Sequence, residues 1–322
     1  MRRLLLSLAA LGTAAMLLLW WLAPPGLPEQ VDIPPGATAS GTAALLKGQG
    51  IIRSVFVFKA IGKLTGWDRR IRPGLYDLRA PMGEPIVLWR LHEGKVTTVR
   101  VAIPEGFMAK QIADRLDAEG VTDAAGFMKY VRANNLEGYL FPTTYIFARN
   151  LPPEAVAHHM YEQFQRQVRP VVAAAGETRF TLAQVVTLAS IVQREARAVD
   201  EMPTIAAVYR NRLAKRMRLE ADPTVQYAHD MDTGEWRRLH HRELAIDSPY
   251  NTYLYFGLPP GPICSPGLDA VKAALHPAQS DALYFVADGD TGRHIFSRTF
   301  AEHAAAIERS NRDRRRERRA GR

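Results

Sequence analysis

A single cysteine, Cys264, occurs in 322 residues. No internal disulfide can form, so any exported part of the chain is held by its core alone. There is no Walker loop, no G-x-G-x-x-G after a strand and no G-x-S-x-G elbow, which removes the common nucleotide-binding and serine-hydrolase sites. His158-His159 and His240-His241 are adjacent pairs and H-E-x-x-H is absent, so no metal site or cofactor is expected. Cys264 has no nucleophile signature around it. Positive charge is scarce where it would matter. The formal net charge is +9, but "RDRRRERRAGR" (Arg312 to Arg322) holds seven Arg against Asp313 and Glu317, and Arg2 and Arg3 add two more charges. The body is left close to neutral, which argues against nucleic acid as a partner. Residues 311–322 read as a basic, disordered tail, with contact to anionic lipid or polymer as the other reading.

What is present is ordinary globular composition, 47% apolar and 23% charged, enough for a sizeable core. The first 23 residues stand apart. Arg2 and Arg3 precede an uncharged run from Leu4 to Leu22 that ends in Trp20 and Trp21. At about 1.5 Å per residue it just crosses a hydrocarbon core of about 30 Å. The two Arg hold the N-terminus in the cytoplasm and the indoles suit the interface. A cleaved signal peptide is the rival, but its apolar region would be unusually long and Pro24-Pro25 make a poor cleavage site. Residues 24–30 form a Pro-rich linker.

Beyond the linker the sequence repeats. "IPPGATASGTAALLKGQGI" (Ile33 to Ile51) aligns without gaps on "IPEGFMAKQIADRLDAEGV" (Ile103 to Val121). Each copy predicts strand, tight turn, amphipathic helix and glycine stop. Two generic β-turn-α units satisfy the pattern. So does a resemblance to LysM modules, which bind N-acetylglucosamine polymers. Residues 31–135 are assigned to this LysM-like α/β region. "LEGYLFPTTY" (Leu136 to Tyr145) reads as a loop entering a mainly helical domain over 136–310. Helices are expected over about 153–168, over the run "TLAQVVTLASIVQREARAV" with Thr181 as N-cap, over 203–216, and from Asp222, which can cap its helix with Pro223 following. Residues 231–247 read as a polar loop, "ALYFVADGDTGRHIFS" as a hairpin, and 300–309 as a last helix. The fold class is α+β.

One residue breaks the pattern. Leu182, Val185, Leu188, Ala189, Val192 and Val199 recur at helical spacing, and Glu195 falls on that apolar face. Either it pairs with a buried cation, Arg210 or Arg212 on the next helix, or it is a desolvated carboxyl kept protonated near neutral pH. Downstream, "ADPTVQYA" and "SPYNTYLYFGLPPGPI" are dense in hydroxyls, amides and aromatic rings. Tyr227, Tyr250 and Tyr253 can stack on sugars; Asn251, Thr224 and Thr252 can hydrogen-bond them. The stiff backbone of Gly257, Pro259, Pro260 and Gly261 can floor a groove. Asp222 is read first as a helix cap and second as a substrate contact. Together these describe a neutral polymer cleft.

The ordered series "LASIVQREA", "VYRNRL", "LEADPTVQYA", "SPYNTY", "GLPPGPI", "SPG", "AALHPA" and "LYFVADGD", with "GLYDL", "LHEGKV", "IPEG" and "EGYLFPTTY" upstream, resembles the YceG-like (MltG) family of endolytic murein transglycosylases. The resemblance covers roughly Ile33 to Ile307. It implies cleavage of the β-1,4 bond between N-acetylmuramic acid and N-acetylglucosamine within a peptidoglycan strand, without water, leaving a 1,6-anhydro end. The family's catalytic residue is the second Glu of "ASIVExE", which matches Glu195. The first is replaced by Gln193. One carboxyl would protonate the glycosidic oxygen and then accept the C6 hydroxyl proton, so no close second carboxylate is needed. The resemblance further implies a single-pass inner-membrane protein with a periplasmic catalytic domain that ends the elongation of nascent strands beside peptidoglycan synthases. A muramidase-type hydrolase and a non-catalytic glycan-binding scaffold are the alternatives.

Overall fold

The computed structural model describes residues 28–34, 36–79, 81–176, 180–288 and 292–320. The expected anchor, Leu4 to Leu22, lies outside them. Among the described residues no helix is long and apolar enough to cross a membrane. The expected linker is shorter than 24–30, because Pro28 already opens the first strand.

The chain is α+β and divides into two compact units. The first, through Val99 with 146–151, contains β1 (Pro28–Ile33), α1 (Ala39–Gly48), α2 (Val55–Thr65), β2 (Gly74–Arg79) and α3 (Glu84–Glu93). β1 and β2 pair antiparallel, Val31 opposite Tyr76. Val31, Ile33, Leu46, Phe58, Tyr76, Leu78 and Leu88 close its core. Glu84 is buried, and one carboxylate oxygen accepts the N–H groups of Arg53 and Ser54 at 2.9 Å each, satisfying the entry to α2.

The second unit holds residues 100–145 and 152–322. The division therefore falls at Val99, not at the expected 135/136 boundary. β3 (Thr98–Ala102), α4 (Ala109–Ala118), α5 (Ala124–Ala133) and β4 (Thr144–Ala148) repeat the order of β1, α1, α2 and β2, and β3 pairs with β4. The helices of this second copy belong to the second unit because the turn before them is sewn to a later loop. Gly106 N–H donates to the Ser265 carbonyl at 2.9 Å, and Ser265 N–H donates to the Phe107 carbonyl at 2.8 Å.

The repeat is deeper than the strand-turn-helix seen in sequence. Gly36 and Gly106 take φ of 77° and 79°, and Gly50 and Gly120 take 72° and 67°. Ala43, Leu46, Ala113 and Leu116 are all buried. Each copy also ends on the same device. Tyr76 OH donates to the Arg72 carbonyl at 2.7 Å and Tyr145 OH to the Phe141 carbonyl at 2.6 Å, each over an intervening X-Pro step. β4 begins inside "LEGYLFPTTY", where a loop was expected.

The rest of the unit is α6 (Pro153–Ala174), α7 (Leu182–Glu195), α8 (Met202–Ala214), α9 (Asp222–Asp230), α10 (Leu268–Leu275), the antiparallel hairpin β5 (Tyr284–Ala287) and β6 (His294–Ser297), and α11 (Phe300–Ala320). α7 is the central helix. Eight consecutive residues, Val185 to Val192, are buried, as expected of a helix packed on all sides. The Thr181 hydroxyl accepts from Gln184 N–H at 3.3 Å, and Gln184 returns the bond to Thr181 N–H at 2.9 Å.

Four expectations are corrected. α7 stops at Glu195, and Val199, assigned to its apolar face, is 57% exposed in a short 3-10 turn. α6 continues past Val168 through Pro170, where the turn is exposed and water can take the freed carbonyl. α10 was not expected at all. α11 runs to Ala320, replacing the predicted disordered tail from 311; Arg is a strong helix former, and cations are favoured at a helix's carbonyl end.

Gly138 tests the packing of the second unit. Its φ is 81°, and an added Cβ would lie 2.3 Å from Pro262 Cβ. Gly176 has a similar φ of 72° with nothing within 4 Å. Gly138→Ala is expected to destabilise by about 2–4 kcal/mol and Gly176→Ala by about 1 kcal/mol, compared by denaturant titration. Equal losses would mean that only the backbone angle matters at Gly138.

Candidate active site

Glu195 is the last residue of α7, and its half-buried side chain opens into a pocket of about 240 Å³. Tyr209, from the facing side of α8, donates its hydroxyl to Glu195 Oε1 at 2.8 Å. Tyr209 is itself held edge-on by Phe285 of the hairpin, with ring centroids 5.8 Å apart. Desolvation raises the Glu195 pKa to about 7; the Tyr209 bond opposes the rise, Asp222 adds to it by charge, and Arg194 and Arg212 oppose it. The carbonyl end of α7 acts in the same direction as burial.

Among the described residues, no ion pair involves Glu195. Arg212 also lines the pocket, but its Nε and Nη1 donors are turned to other groups. Nε donates to the Leu283 carbonyl at 2.7 Å, and Nη1 donates to the Leu219 carbonyl at 2.9 Å and to Glu220 Oε2 at 3.0 Å. Its guanidinium covers the Tyr284 ring at 5.1 Å. Arg210, the other candidate partner, instead sits over Phe180 at 5.4 Å. Arg194 lies over Trp236 at 4.0 Å. The carboxyl is thus desolvated without being neutralised by a partner.

The expected site residues separate into groups. Asp222 and Tyr253 share the Glu195 pocket. Asp222 does not cap α9: Ala221 is the N-cap, and Asp222 instead accepts the Tyr253 hydroxyl at 2.6 Å. Thr224, Asn251 and Thr252 are buried and spend their polar atoms internally. Thr224 donates to the Ala221 carbonyl at 2.7 Å and meets the Thr252 hydroxyl at 2.9 Å. Asn251 ties down the carbonyls of Leu244 and Ile246 at 2.9 and 2.8 Å. Tyr227 and Tyr250 line a different cavity, and Gly257 a third. Pro259 is buried, Pro260 exposed and Gly261 half-buried, and a Cβ added at Gly261 would lie 3.4 Å from the Tyr250 hydroxyl.

Tyr209, Leu219, Glu220, Phe285 and His303 also line the pocket and were not foreseen. Tyr209 was within reach of the periodicity that found Glu195, since Ile205, Tyr209 and Arg212 repeat at helical spacing and are all buried. Phe285 and His303 come from the hairpin and α11, and no local pattern links them to α7.

Gln193 points to a different neighbour. Its Oε1 accepts Gly267 N–H at 2.9 Å, and its amide hydrogen-bonds the Glu105 carboxylate. It joins the "IPEG" turn to the "SPG" loop beneath α7. Ser190 does the same one turn earlier, accepting Ile263 N–H at 3.0 Å.

The architecture defines a helical site built around one desolvated carboxyl, extended by a β-α-α-β module. The YceG-like family matches residues 31–309, and the chain belongs to that family. It is 32% identical over 311 residues to a Bacillus subtilis protein named endolytic murein transglycosylase, covering 87% of this chain and 84% of that one. A Streptococcus pneumoniae protein of the same name is 26% identical, and the alignment spans 56% of its length. A crystal structure of a yceG-like protein from Listeria monocytogenes, 30% identical, superposes with a TM-score of 0.56 over 86% of this chain and 98% of that one.

Replacing Gln193 by Glu would set a second carboxyl against Glu105, whose pKa is already raised by burial and by Asp269. A protonated carboxyl at this position can keep both bonds; an ionised one cannot. Gln193→Glu is expected to match the parent's stability near pH 4 and to lose about 1–2 kcal/mol by pH 7.5, read by urea titration across pH. A loss equal at both pH values would mean that shape, not charge, decides the position.

Proposed function

We propose that the chain is an endolytic peptidoglycan transglycosylase in which Glu195 is the only acid and base. One observation carries the reading: a pocket-facing carboxyl held near a pKa of 7 by burial and left without a cationic partner. Family membership and the names of the relatives support the same reaction.

In this reading each step has a residue. Protonated Glu195 donates to the glycosidic oxygen between N-acetylmuramic acid and N-acetylglucosamine. As the bond breaks, the substrate's acetamido group stabilises the anomeric carbon, and Asp222 contributes negative charge from the pocket wall. Glu195, now ionised and steadied by the Tyr209 hydroxyl, takes the C6 hydroxyl proton as C6–O attacks the anomeric carbon. The 1,6-anhydro ring closes and the acid is regenerated. Tyr209 thus stabilises the carboxylate that exists between the two proton transfers, and Tyr253 fixes Asp222.

The cellular setting is part of the proposal. Residues 4–22 anchor the chain in the inner membrane with residues 24–322 in the periplasm, beside synthases whose nascent strands it cuts. The first β-α-α-β unit is a LysM-like module. Its antiparallel strand pair flanking two helices supports that reading.

Digestion of purified peptidoglycan by the wild-type chain should yield anhydro-muropeptides by mass spectrometry, and Glu195→Gln should yield none, a fall of at least about 10³-fold. Reducing ends from the wild type would mean hydrolysis instead. Equal product from both would make Glu195 structural. The pH profile tests the carboxyl itself. Since the acid form is required, kcat/KM should fall above about pH 7. Tyr209→Phe removes a bond to the ionised form, so the falling limb should move up by about one pH unit while kcat drops. A limb that stays in place would detach Tyr209 from the titration.

A further inference from the structure

The second unit contains another half-buried carboxyl that the reaction does not use. Glu137 follows α5 and forms part of a cavity of about 480 Å³ between the second β-α-α-β copy and α9. It accepts Ala109 N–H at 3.0 Å and the Tyr227 hydroxyl at 3.3 Å. Burial raises its pKa to about 7. Arg132 and Asp232 pair at the rim of the same cavity, and both are largely exposed. Met128, Val131 and Met231 add an apolar wall. Tyr227 is only 6% exposed and leans on Tyr250 at 4.9 Å, so it does not offer the open ring face that a sugar needs for stacking.

We propose that this cavity receives an aliphatic chain ending in an amino-acid zwitterion, as a diamino-acid residue presents on the peptide arm of a peptidoglycan strand. Its carboxylate pairs with Arg132, its ammonium with Asp232 and Glu137, and its methylenes lie against Met128, Val131 and Met231. The assignment rests on the peptidoglycan reading above. The charges at this cavity come in both signs, which a neutral sugar would leave uncompensated. Opening an exposed Arg–Asp pair costs little, and the ligand returns an ion to each partner. An ammonium beside Glu137 also favours its ionised form and offsets the desolvation that burial imposes. The site would make the enzyme a reader of peptide-bearing strands as well as a cutter of glycan.

The test uses the full chain carrying Glu195→Gln, so that binding is seen without cleavage. Titration calorimetry compares L-Ala-γ-D-Glu-meso-diaminopimelate, L-Ala-γ-D-Glu-L-Lys and peptide-free glycan strands. The two peptides differ only in the carboxylate at the end of the side chain. The diaminopimelate peptide should bind about tenfold more tightly than the lysine peptide, the scale of one charge-assisted hydrogen bond. Adding Arg132→Ala should bring the two to the same affinity, while Asp232→Asn should weaken both; matching melting curves establish that the variants fold. Equal affinities in the parent, no binding of either peptide, or a peptide preference untouched by Arg132→Ala would overturn the assignment. Glycan strands are the control for the reaction itself. Anhydro product from the wild type without any peptide preference strikes only this site, whereas peptide binding without anhydro product strikes the lyase reading instead.

Discussion

A carboxyl that must be an acid near neutral pH has to lose water without gaining a cation, and the second unit is organised around meeting both demands at Glu195. Losing water is the easier half: α7 is surrounded by its own core, and its last residue inherits that environment. Avoiding a cation is harder, because Arg194 and Arg212 are both close enough to influence the carboxyl electrostatically. Each is held by something else. Arg212 is drawn to carbonyls at the end of the 215–220 turn and before the hairpin, and Arg194 to the indole of Trp236. Loops that look remote from the chemistry therefore set the acid's strength by occupying its potential partners.

The same logic explains the polar loop at 231–247. Trp236 donates its indole N–H to Gln111 at 3.1 Å, and Gln111 also accepts Met108 N–H at 2.9 Å at the start of α4. Arg237 binds Asp230 at 2.6 Å and Glu243 at 2.7 Å. The loop is thus fixed at both faces, and the indole under Arg194 is fixed with it. The duplicated module takes part through its turn. Gly36 in the first copy has open space where a Cβ would go, whereas the equivalent atom at Gly106 would lie 3.3 Å from Arg194 Nη1. The same turn geometry meets open space in one copy and an arginine of α7 in the other.

What was legible in sequence follows from the range of each signal. Helix spacing reports on one helix and its apolar face, so it identified α7, its Thr181 cap and the anomalous Glu195. It could not report where α7 ends. Val199 continues the period by accident, since Ala196 leaves helical backbone at ψ 129° and the chain turns. Polar residues in a Pro/Gly-rich run gave no way to separate ligands from internal fasteners. Thr224, Asn251 and Thr252 have the chemistry of sugar binding, but the loop that holds Asn251 and Thr252 has few backbone partners of its own; their side chains, with the Thr224 hydroxyl from the first turn of α9, supply them. Asp222 stood where a cap stands; the Tyr253 hydroxyl, thirty-one residues later, drew it away. The β-α-α-β duplication was half visible because its first half carries the Gly and Pro signals, while the Tyr-to-carbonyl bond that closes each copy leaves only a proline and a tyrosine three residues apart.

The departure at Gln193 can be placed by helix geometry. Two residues along a helix is a rotation of about 200°, so Gln193 and Glu195 face nearly opposite sides of α7. Glu195 meets the pocket, and Gln193 meets the seam between "IPEG" and "SPG". That seam admits little else. A Cβ on Gly267 would come within 2.0 Å of the Glu105 carboxylate, so the backbone there is pressed against an acid and needs a donor nearby. Glutamine provides the donor to Glu105 and the acceptor for Gly267 in one amide, without a charge. A carboxyl side chain in its place could do both only while protonated. The first position of the motif therefore bears on how firmly α7 is seated, and the second on what α7 presents to a glycan.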